Sequence, residues 1–283
     1  MPETPILDHH MHLDPVNGEG AAAAERFAAA GGTHLLVLNK PSWTLSDRTD
    51  ERAFRETFEL TCEVAAAADE HLPGRAWPVL GVHPALISRL RERGYEPEEA
   101  GEFMRVGLEI AADFVADGPA VALKSGRPHY EVEDAVWAAS NATLRHALGL
   151  GAEVGCPVQL HTEGGDAFPN IAEWAGERGL APEQVVVHYA EGPIEGATPS
   201  VISDKENLVA AAESDGGFFM ETDFMDDPDR PGAVLGVRTV PRRVRWLREQ
   251  GYKAAIERAH IEMPARVYGI DTEATLETEP RNS

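Results

Sequence analysis

Short apolar runs recur along the chain, and amphipathic helical patterns separate them. There are eight such runs, seven with Val, Leu or Ile and the eighth with Phe and Met, which is typical of buried parallel strands. They are PILDHHMHL, THLLVLNK, AWPVLGVHP, AVALKSG, PVQLHTE, QVVVHYA, PSVIS and GFFMETD. The helical patterns include AAAAERFAAAGG, ERAFRETFELTCEVAAAADE and DAVWAASNATLRHALGLGAEVG, and several end at glycine. This alternation predicts an α/β fold, a TIM (β/α)8 barrel rather than a doubly wound sheet.

The length of 283 residues suits one barrel, since single barrels run to about 250 residues or more. We find no internal repeat and no low-complexity linker, so the sequence predicts a single domain over residues 1–270. The last stretch, DTEATLETEPRNS at 271–283, has no apolar periodicity. It is predicted to be a disordered acidic tail.

The charge balance is strongly acidic. Asp and Glu number 48 against 25 Lys plus Arg, which gives a net charge of -23. Such a surface repels itself at low ionic strength, whereas at about 1 M salt the Debye length falls to about 3 Å and the repulsion is screened. The composition therefore favours a halophilic protein from a salt-rich cytoplasm, with an ordinary acidic protein as the alternative.

Targeting signals are not recognisable in the sequence. The start, MPETPILDHH, lacks a basic region followed by an apolar one, and no run approaches the roughly 18 apolar residues of a membrane span. We expect a cytoplasmic protein that does not interact with membranes.

Polar residues end most of the predicted strands, where barrel enzymes place their chemistry. In chain order they are His10 and His12, Lys124, His161, His188 and Asp223. Side chains two apart on a strand share a face, so His10 and His12 should point into the barrel mouth and His9 should face away. One histidine alone is more often a packed side chain than a ligand. Four histidines and an aspartate suit Zn, Mn, Ni, Fe or Mg and exceed what one tetrahedral ion uses, which suggests two divalent ions.

Several motifs together resemble the TatD-type metal-dependent hydrolases, within the amidohydrolase superfamily of TIM barrels. They are DHHMHLD at 8–14, GVHP at 81–84, PVQLH ending at 161, VVVH ending at 188 and METD at 220–223. The resemblance runs from about residue 6 to about residue 270. It implies a binuclear metal site and hydrolysis of DNA phosphodiester bonds from an end. By the same resemblance His10, His12 and Asp223 would hold one ion, and His161 and His188 the other.

Lys124 departs from that pattern. TatD-type proteins have a bridging glutamate in a Gly-Glu-x-Gly setting, and this chain has LKSG there. Other branches of the superfamily use a lysine that has reacted with carbon dioxide, and the resulting carbamate is an anionic bridging ligand. A carboxylated, bridging Lys124 is therefore one interpretation. Lys124 as a plain cation paired with Asp223, Glu163 or Glu191, in a site with one metal or none, is another. A third is that the strand register differs and another acid bridges.

The predicted catalytic residue is Asp223, which would position the attacking water and accept its proton. His83, Arg127, His129 and Lys40 end or follow their strands and are candidates for substrate binding. The alternative for His83 is a supporting hydrogen bond, and the alternative for the other three is a salt bridge with surrounding acids. Asp8 is expected to be a structural acid.

Three functions remain open. The resemblance favours a deoxyribonuclease, although a net charge of -23 discourages the approach of a polyanion. A small-molecule amidohydrolase or lactonase, acting on an ester or amide with a carboxylated lysine, is the alternative. A non-catalytic metal-binding barrel is the third. VPRRVRWLR is the one basic cluster, and its spacing also suits an ordinary solvated helix.

Overall fold

The strands of the described residues form one parallel sheet in the order β8-β7-β6-β5-β4-β3-β2-β1-β9. The computed structural model describes residues 4–46, 50–162, 168–229 and 234–276. The strands are β1 (Leu7–His12), β2 (His34–Leu38), β3 (Ala76–Gly81), β4 (Ala122–Gly126), β5 (Val158–His161), β6 (Val185–Ala190), β7 (Thr198–Ile202), β8 (Phe219–Glu221) and β9 (Phe224–Met225). The eight predicted strands are all present.

The sheet closes on itself between β8 and β1. Only Thr222 and Asp223 separate β8 from β9; β8 pairs with β7, and β9 pairs with β1. The two short segments therefore act together as the eighth strand of the barrel. Asp8 of β1 strengthens the closure because its carboxylate accepts the backbone N–H of Thr222 at 3.2 Å and the Thr222 hydroxyl at 2.7 Å. The predicted TIM (β/α)8 barrel is confirmed.

Helices cover the outside of the sheet. They are α1 (Ala22–Ala29), α2 (Ser42–Leu45), α3 (Arg52–Asp69), α4 (Leu86–Glu92), α5 (Pro97–Ala116), α6 (Asp134–Val154), α7 (Phe168–Glu177), α8 (Lys205–Glu213), α9 (Thr239–Glu249) and α10 (Lys253–Glu257). Glu96 and Glu99 form a capping box ahead of α5, with Pro97 as its first residue. Helix α6 ends at Gly155, whose φ of 72° is the left-handed conformation that glycine adopts at little cost.

The chain after α10 closes the end of the barrel opposite the predicted site. It winds into two wider π-type segments, Arg258–Glu262 and Pro264–Tyr268. Met263 and Val267 from this region pack with Leu7 and Ala122, which lie near the starts of their strands, in an apolar cluster. The barrel interior is therefore apolar at the strand starts and polar at the strand ends.

The boundary predicted at residue 270 stays a prediction. Thr272 is buried, and its hydroxyl donates to the His260 carbonyl at 2.7 Å. The remainder of the predicted tail, 277–283, lies outside the described residues. No helix in the described ranges has both the length and the apolar character needed to cross a membrane.

Candidate metal centre

His10, His12 and Asp223 lie together at the carboxyl ends of the strands. Nε2 of His10 is 3.8 Å from Oδ1 of Asp223, and Nε2 of His12 is 3.6 Å from the same oxygen. The backbone of Asp223 has a φ of 46°, a conformation that aspartate tolerates better than most residues. Two imidazole nitrogens and a carboxylate oxygen around one point form a donor set for a divalent ion.

A bulge in β1 changes which side chains face the interior. Between Asp8 and Met11, β1 advances three residues while β2 advances two. Both His9 and His10 consequently contact interior groups, and the ring of His9 stacks on Phe219 with centroids 4.0 Å apart. The prediction that His9 faces away from the barrel is wrong, because the bulge interrupts the alternation on which it relied.

The ring nitrogen of His12 that faces the site carries no proton, because a hydrogen bond fixes the tautomer of this residue. Nδ1 of His12 lies 3.1 Å from the carbonyl oxygen of Leu38. A carbonyl can only accept, so Nδ1 carries the proton and Nε2 presents its lone pair. Burial, followed by the charge of Lys124, lowers the pKa of His12 well below its usual value. The ring is therefore neutral near pH 7, as a metal ligand must be.

Lys124 is buried in the middle of this group, with 3% of its surface exposed. Among the described residues the hydrogen-bond partner of its Nζ is His10 Nε2, at 3.0 Å, rather than a carboxylate. Burial lowers the pKa of the Lys124 amine to about 8, although Asp223 acts in the opposite direction. The neutral amine, which is the form that reacts with carbon dioxide, is therefore accessible near neutral pH. Glu163, one predicted ion-pair partner, lies outside the described residues.

Gly81 of β3 makes room for the strand that carries Lys124. A Cβ atom at this position would lie 1.8 Å from the carbonyl oxygen of Lys124. Any larger residue would push β4 away from β3 and move the amine, so Gly81 contributes to the position of Lys124.

His188 is oriented by a buried acid that follows in β8. Its Nδ1 lies 2.8 Å from Oε1 of Glu221, and the ring of His188 stacks on that of His10 with centroids 3.8 Å apart. His10, His188 and Glu221 are close enough to form a second donor group. However, Oε1 also accepts the backbone N–H of Tyr189 at 2.9 Å, and Oε2 accepts the Ser200 hydroxyl. Since both oxygens are occupied, we regard Glu221 as the group that holds His188.

The contact between Glu221 and His188 involves a buried carboxyl group with a raised pKa and a strained backbone at Tyr189. Burial raises the pKa of Glu221 to about 8, and the hydrogen bonds from Ser200 and Tyr189 act against this. Tyr189 has a φ of 60°, in a bulge where β6 advances three residues and β7 two. This strained conformation directs the Tyr189 N–H to the same oxygen that His188 contacts.

His161 lies beside His188 at the mouth, with centroids 5.3 Å apart. Its Nε2 is 3.1 Å from Nδ1 of His129, and its ring is 4.7 Å from that of His83. Burial lowers the pKa of His161, and burial lowers that of His83 to about 3. The structure therefore brings His83 and His129 to the rim around the six predicted ligand residues.

Lys40 and Arg127 are engaged in structural contacts. Nζ of Lys40 is 2.6 Å from Oδ2 of Asp14, and both side chains are buried. The guanidinium of Arg127 donates to Asn141 at 2.8 Å and lies 4.7 Å from the ring centroid of Trp137. The substrate-binding roles of these two cations stay predictions, and the contact of Lys40 with Asp14 favours the salt-bridge alternative for that residue.

Four residues that support the site were not singled out from the sequence. Gln159 is two residues before His161, and Glu221 is two residues before Asp223, so each pair shares a strand face. The same alternation that places His10 and His12 on one face therefore predicts that Gln159 and Glu221 face the site. Ser200 and Tyr268 complete the group through hydrogen bonds to His9 at 2.8 and 2.7 Å. Neither has a local sequence signal, because the contacts are made only when the barrel closes.

The fold and the strand-end histidines define the class of metal-dependent barrel hydrolases. The protein-family model described as TatD related DNase matches residues 7–269 of the sequence, and the chain belongs to this family. An uncharacterized protein of Methanocaldococcus jannaschii is 34% identical over 281 residues, covering 95% of this chain and 97% of that protein.

Solved structures share the fold at low sequence identity. The organophosphorus hydrolase from Deinococcus radiodurans superposes with a TM-score of 0.60 at 16% identity, covering 95% of this chain and 93% of that chain. The phosphotriesterase homology protein from Escherichia coli, complexed with phosphate in its active site, gives 0.60 at 11% identity, covering 95% and 99%. A mutant PTE-like lactonase of Deinococcus radiodurans gives 0.56 at 18%, covering 95% and 97%.

Proposed function

We propose that this metal-dependent hydrolase cleaves small esters, with lactones as the leading class, at a centre that contains a carboxylated Lys124. The position of Lys124 carries the proposal. Its Nζ is buried 3.0 Å from Nε2 of His10. At that distance an ammonium would repel a cation held by His10, whereas a carbamate would attract one. Formation of the carbamate joins the neutral amine to carbon dioxide and releases a proton.

The donor atoms around Lys124 fit divalent ions. His10 and His12 present bare Nε2 atoms next to an Asp223 oxygen, and His161 and His188 are the proposed holders of a second ion. Two such ions, when bound, would polarise the scissile carbonyl and lower the pKa of the attacking water. Asp223 is 14% exposed, so its carboxylate can be reached from the mouth. It orients the water and accepts its proton.

The cations near the mouth support a small substrate rather than a polyanion. Lys40 is paired with Asp14, and Arg127 packs on Trp137. In α9, Arg243 donates to the backbone carbonyl of Ser203, which follows β7, at 2.9 Å. These cationic side chains are therefore already occupied by contacts within the protein, whereas a nucleic-acid strand would need such cations to bind its phosphates. The solved barrels named for organophosphates and lactones support the same substrate class.

Deoxyribonuclease activity is the second candidate, and the family match favours it. A metal centre of this composition can also act on a phosphodiester, because the ions stabilise negative charge on either a carboxyl or a phosphoryl group.

One assay separates the two. Purified protein in high KCl, with bicarbonate and either zinc or manganese, is offered a panel of lactones and aryl esters beside end-labelled DNA. We expect metal-dependent ester turnover that Asp223→Asn lowers by at least about 10²-fold, and DNA loss no faster than with that variant. Cleavage of DNA without ester turnover would overturn the proposal in favour of the nuclease.

A further inference from the structure

Five buried or half-buried residues connect His10 to His188 by hydrogen bonds below the candidate metal centre. In order from His10 they are Gln159, Tyr268, His9, Ser200 and Glu221. We call them the ligand-orienting chain. They come from strands β1, β5, β7 and β8 and from the π-type segment that ends at Tyr268.

We propose that the ligand-orienting chain runs in a single donor direction, and that it fixes the tautomers of His10 and His188 so that both Nε2 atoms face the mouth without a proton. Its members are positioning residues, since none of them needs to touch the substrate. The part of the inference that concerns metal affinity rests on the proposed function. The direction of the chain can be established without a metal.

The direction at His10 follows from its two neighbours. Nζ of Lys124 approaches Nε2 at 3.0 Å, and in the metal-free protein below a pH of about 8 the amine is chiefly an ammonium, which can only donate. Nε2 must therefore be bare, so the proton is on Nδ1. Nδ1 lies 3.0 Å from Oε1 of Gln159, which accepts it.

The amide of Gln159 sets the donor direction of the next hydrogen bonds, which lie in the barrel interior. With Oε1 facing His10, its N–H group donates to the Tyr268 oxygen at 3.1 Å. The Tyr268 hydroxyl then donates to Nε2 of His9 at 2.7 Å. His9 consequently carries its proton on Nδ1, which donates to the Ser200 oxygen at 2.8 Å.

The chain ends on Glu221. The Ser200 hydroxyl donates to Oε2 of Glu221, and Oε1 accepts the backbone N–H of Tyr189 at 2.9 Å. The Ser200 hydroxyl and the Tyr189 N–H both donate to Glu221 and favour its ionised form, so we assign the proton of His188 to Nδ1, 2.8 Å from Oε1. His188 then has a bare Nε2, as His10 does. Each hydrogen bond along the route then joins one donor to one acceptor, which is the condition under which a buried polar network is stable.

The π-type segment explains how a residue from the closing helix reaches the site. Pro264–Tyr268 is wider than an α-helix and ends at Gly269, whose φ is 67°. Insertions of this kind are frequent at functional sites because they redirect a side chain. Here the Tyr268 hydroxyl meets Gln159 and His9 inside the barrel.

The decisive experiment reverses the chain by exchanging one atom. In Gln159→Glu, at a pH where the new carboxyl group is ionised, the new oxygen accepts from Tyr268, so the Tyr268 oxygen must accept from His9, whose proton moves to Nε2. The Ser200 hydroxyl then donates to Nδ1 of His9. Nitrogen-15 NMR of the metal-free protein should show His9 changed from the Nδ1–H to the Nε2–H tautomer, with His10 unchanged. Gln250→Glu, at an exposed position, is the matched control and should leave His9 as it is.

Two outcomes would overturn the direction: an Nε2–H tautomer of His9 in the unchanged protein, or the same His9 tautomer in folded Gln159→Glu whose new carboxyl group is ionised. Absence of hydrolysis would count only against the proposed function, because these spectra do not depend on turnover.

A second variant tests the consequence for the metal. Tyr268→Phe removes only the hydroxyl that joins Gln159 to His9, and we expect zinc affinity, measured against a chelator, to fall about 10- to 100-fold. Tyr252→Phe is the matched control, because that hydroxyl contacts the exposed Glu213. Equal affinity of Tyr268→Phe and the unchanged protein would overturn the positioning role.

Discussion

Nζ of Lys124 and Nε2 of His10 lie 3.0 Å apart in the interior of the barrel. The amine donates to a nitrogen that is otherwise directed at Asp223, 3.8 Å away. An ion that binds Nε2 must replace this hydrogen bond and then meets the amine directly. The chemistry of the site therefore depends on the charge that Lys124 carries when metal is present.

Asp223→Asn tests the proton acceptor. The amide keeps the size of the side chain and cannot take a proton from water, so we expect kcat for ester hydrolysis to fall by about 10²- to 10⁴-fold. Steady-state kinetics with the substrate found in the ester panel measure this. Asp229→Asn, at an exposed position, is the control. Retention of turnover within tenfold in a folded, metal-loaded Asp223→Asn would remove Asp223 from the mechanism.

Substitution of Lys124 tests whether the site needs an anion there. Lys124→Glu supplies a two-oxygen anion and should bind metal with part of the turnover retained. Lys124→Arg fixes a positive charge, and we expect it to lose metal and to reduce kcat/KM by at least about 10²-fold. Metal analysis and kinetics of both variants measure this. If Lys124→Arg proved as active as Lys124→Glu, an anionic role would be untenable.

His260 links stability to pH. Burial lowers its pKa to about 3, against 6.5 for an ordinary histidine. Below a pH of about 6.5, His260 takes up a proton in the unfolded chain but not in the folded protein. The free energy of unfolding therefore falls as pH drops from about 6.5 towards 3. Nδ1 accepts the Leu7 N–H at 3.1 Å, and Asn can replace that acceptor. Between pH 7 and 5 the unchanged protein should lose about 2 kcal/mol more than His260→Asn, measured by urea unfolding. Parallel losses in the two proteins would contradict this.

Salt should stabilise the protein. The net charge is -23, so the acidic side chains repel one another at low ionic strength, and KCl screens this repulsion. We expect Tm to rise as KCl is increased towards molar concentration, by about 2–4 °C for each 1 kcal/mol gained. A thermal melt series measures it, with KCl replaced by an uncharged osmolyte as control. A flat Tm would refute the halophilic interpretation.

The fold was predictable because its signal is local. Buried strands such as HLLVL and VVVHYA are continuous apolar runs, and the polar residues that end them identify the face of the barrel with the chemistry. The side-chain directions of His9 and Tyr189 were not predictable, since they depend on bulges that form when neighbouring strands pair. The contact of Gln159 with Tyr268 joins residues 109 positions apart, and no short pattern encodes it.

The central claim, a carboxylated Lys124 in a metal-dependent hydrolase, is tested most directly by carbon-13 NMR. The protein is loaded with zinc in the presence of ¹³C-bicarbonate. We predict one carbamate signal, in a one-to-one ratio with protein, that is missing from Lys124→Arg. Folded protein that holds zinc and gives no carbamate signal would contradict the account.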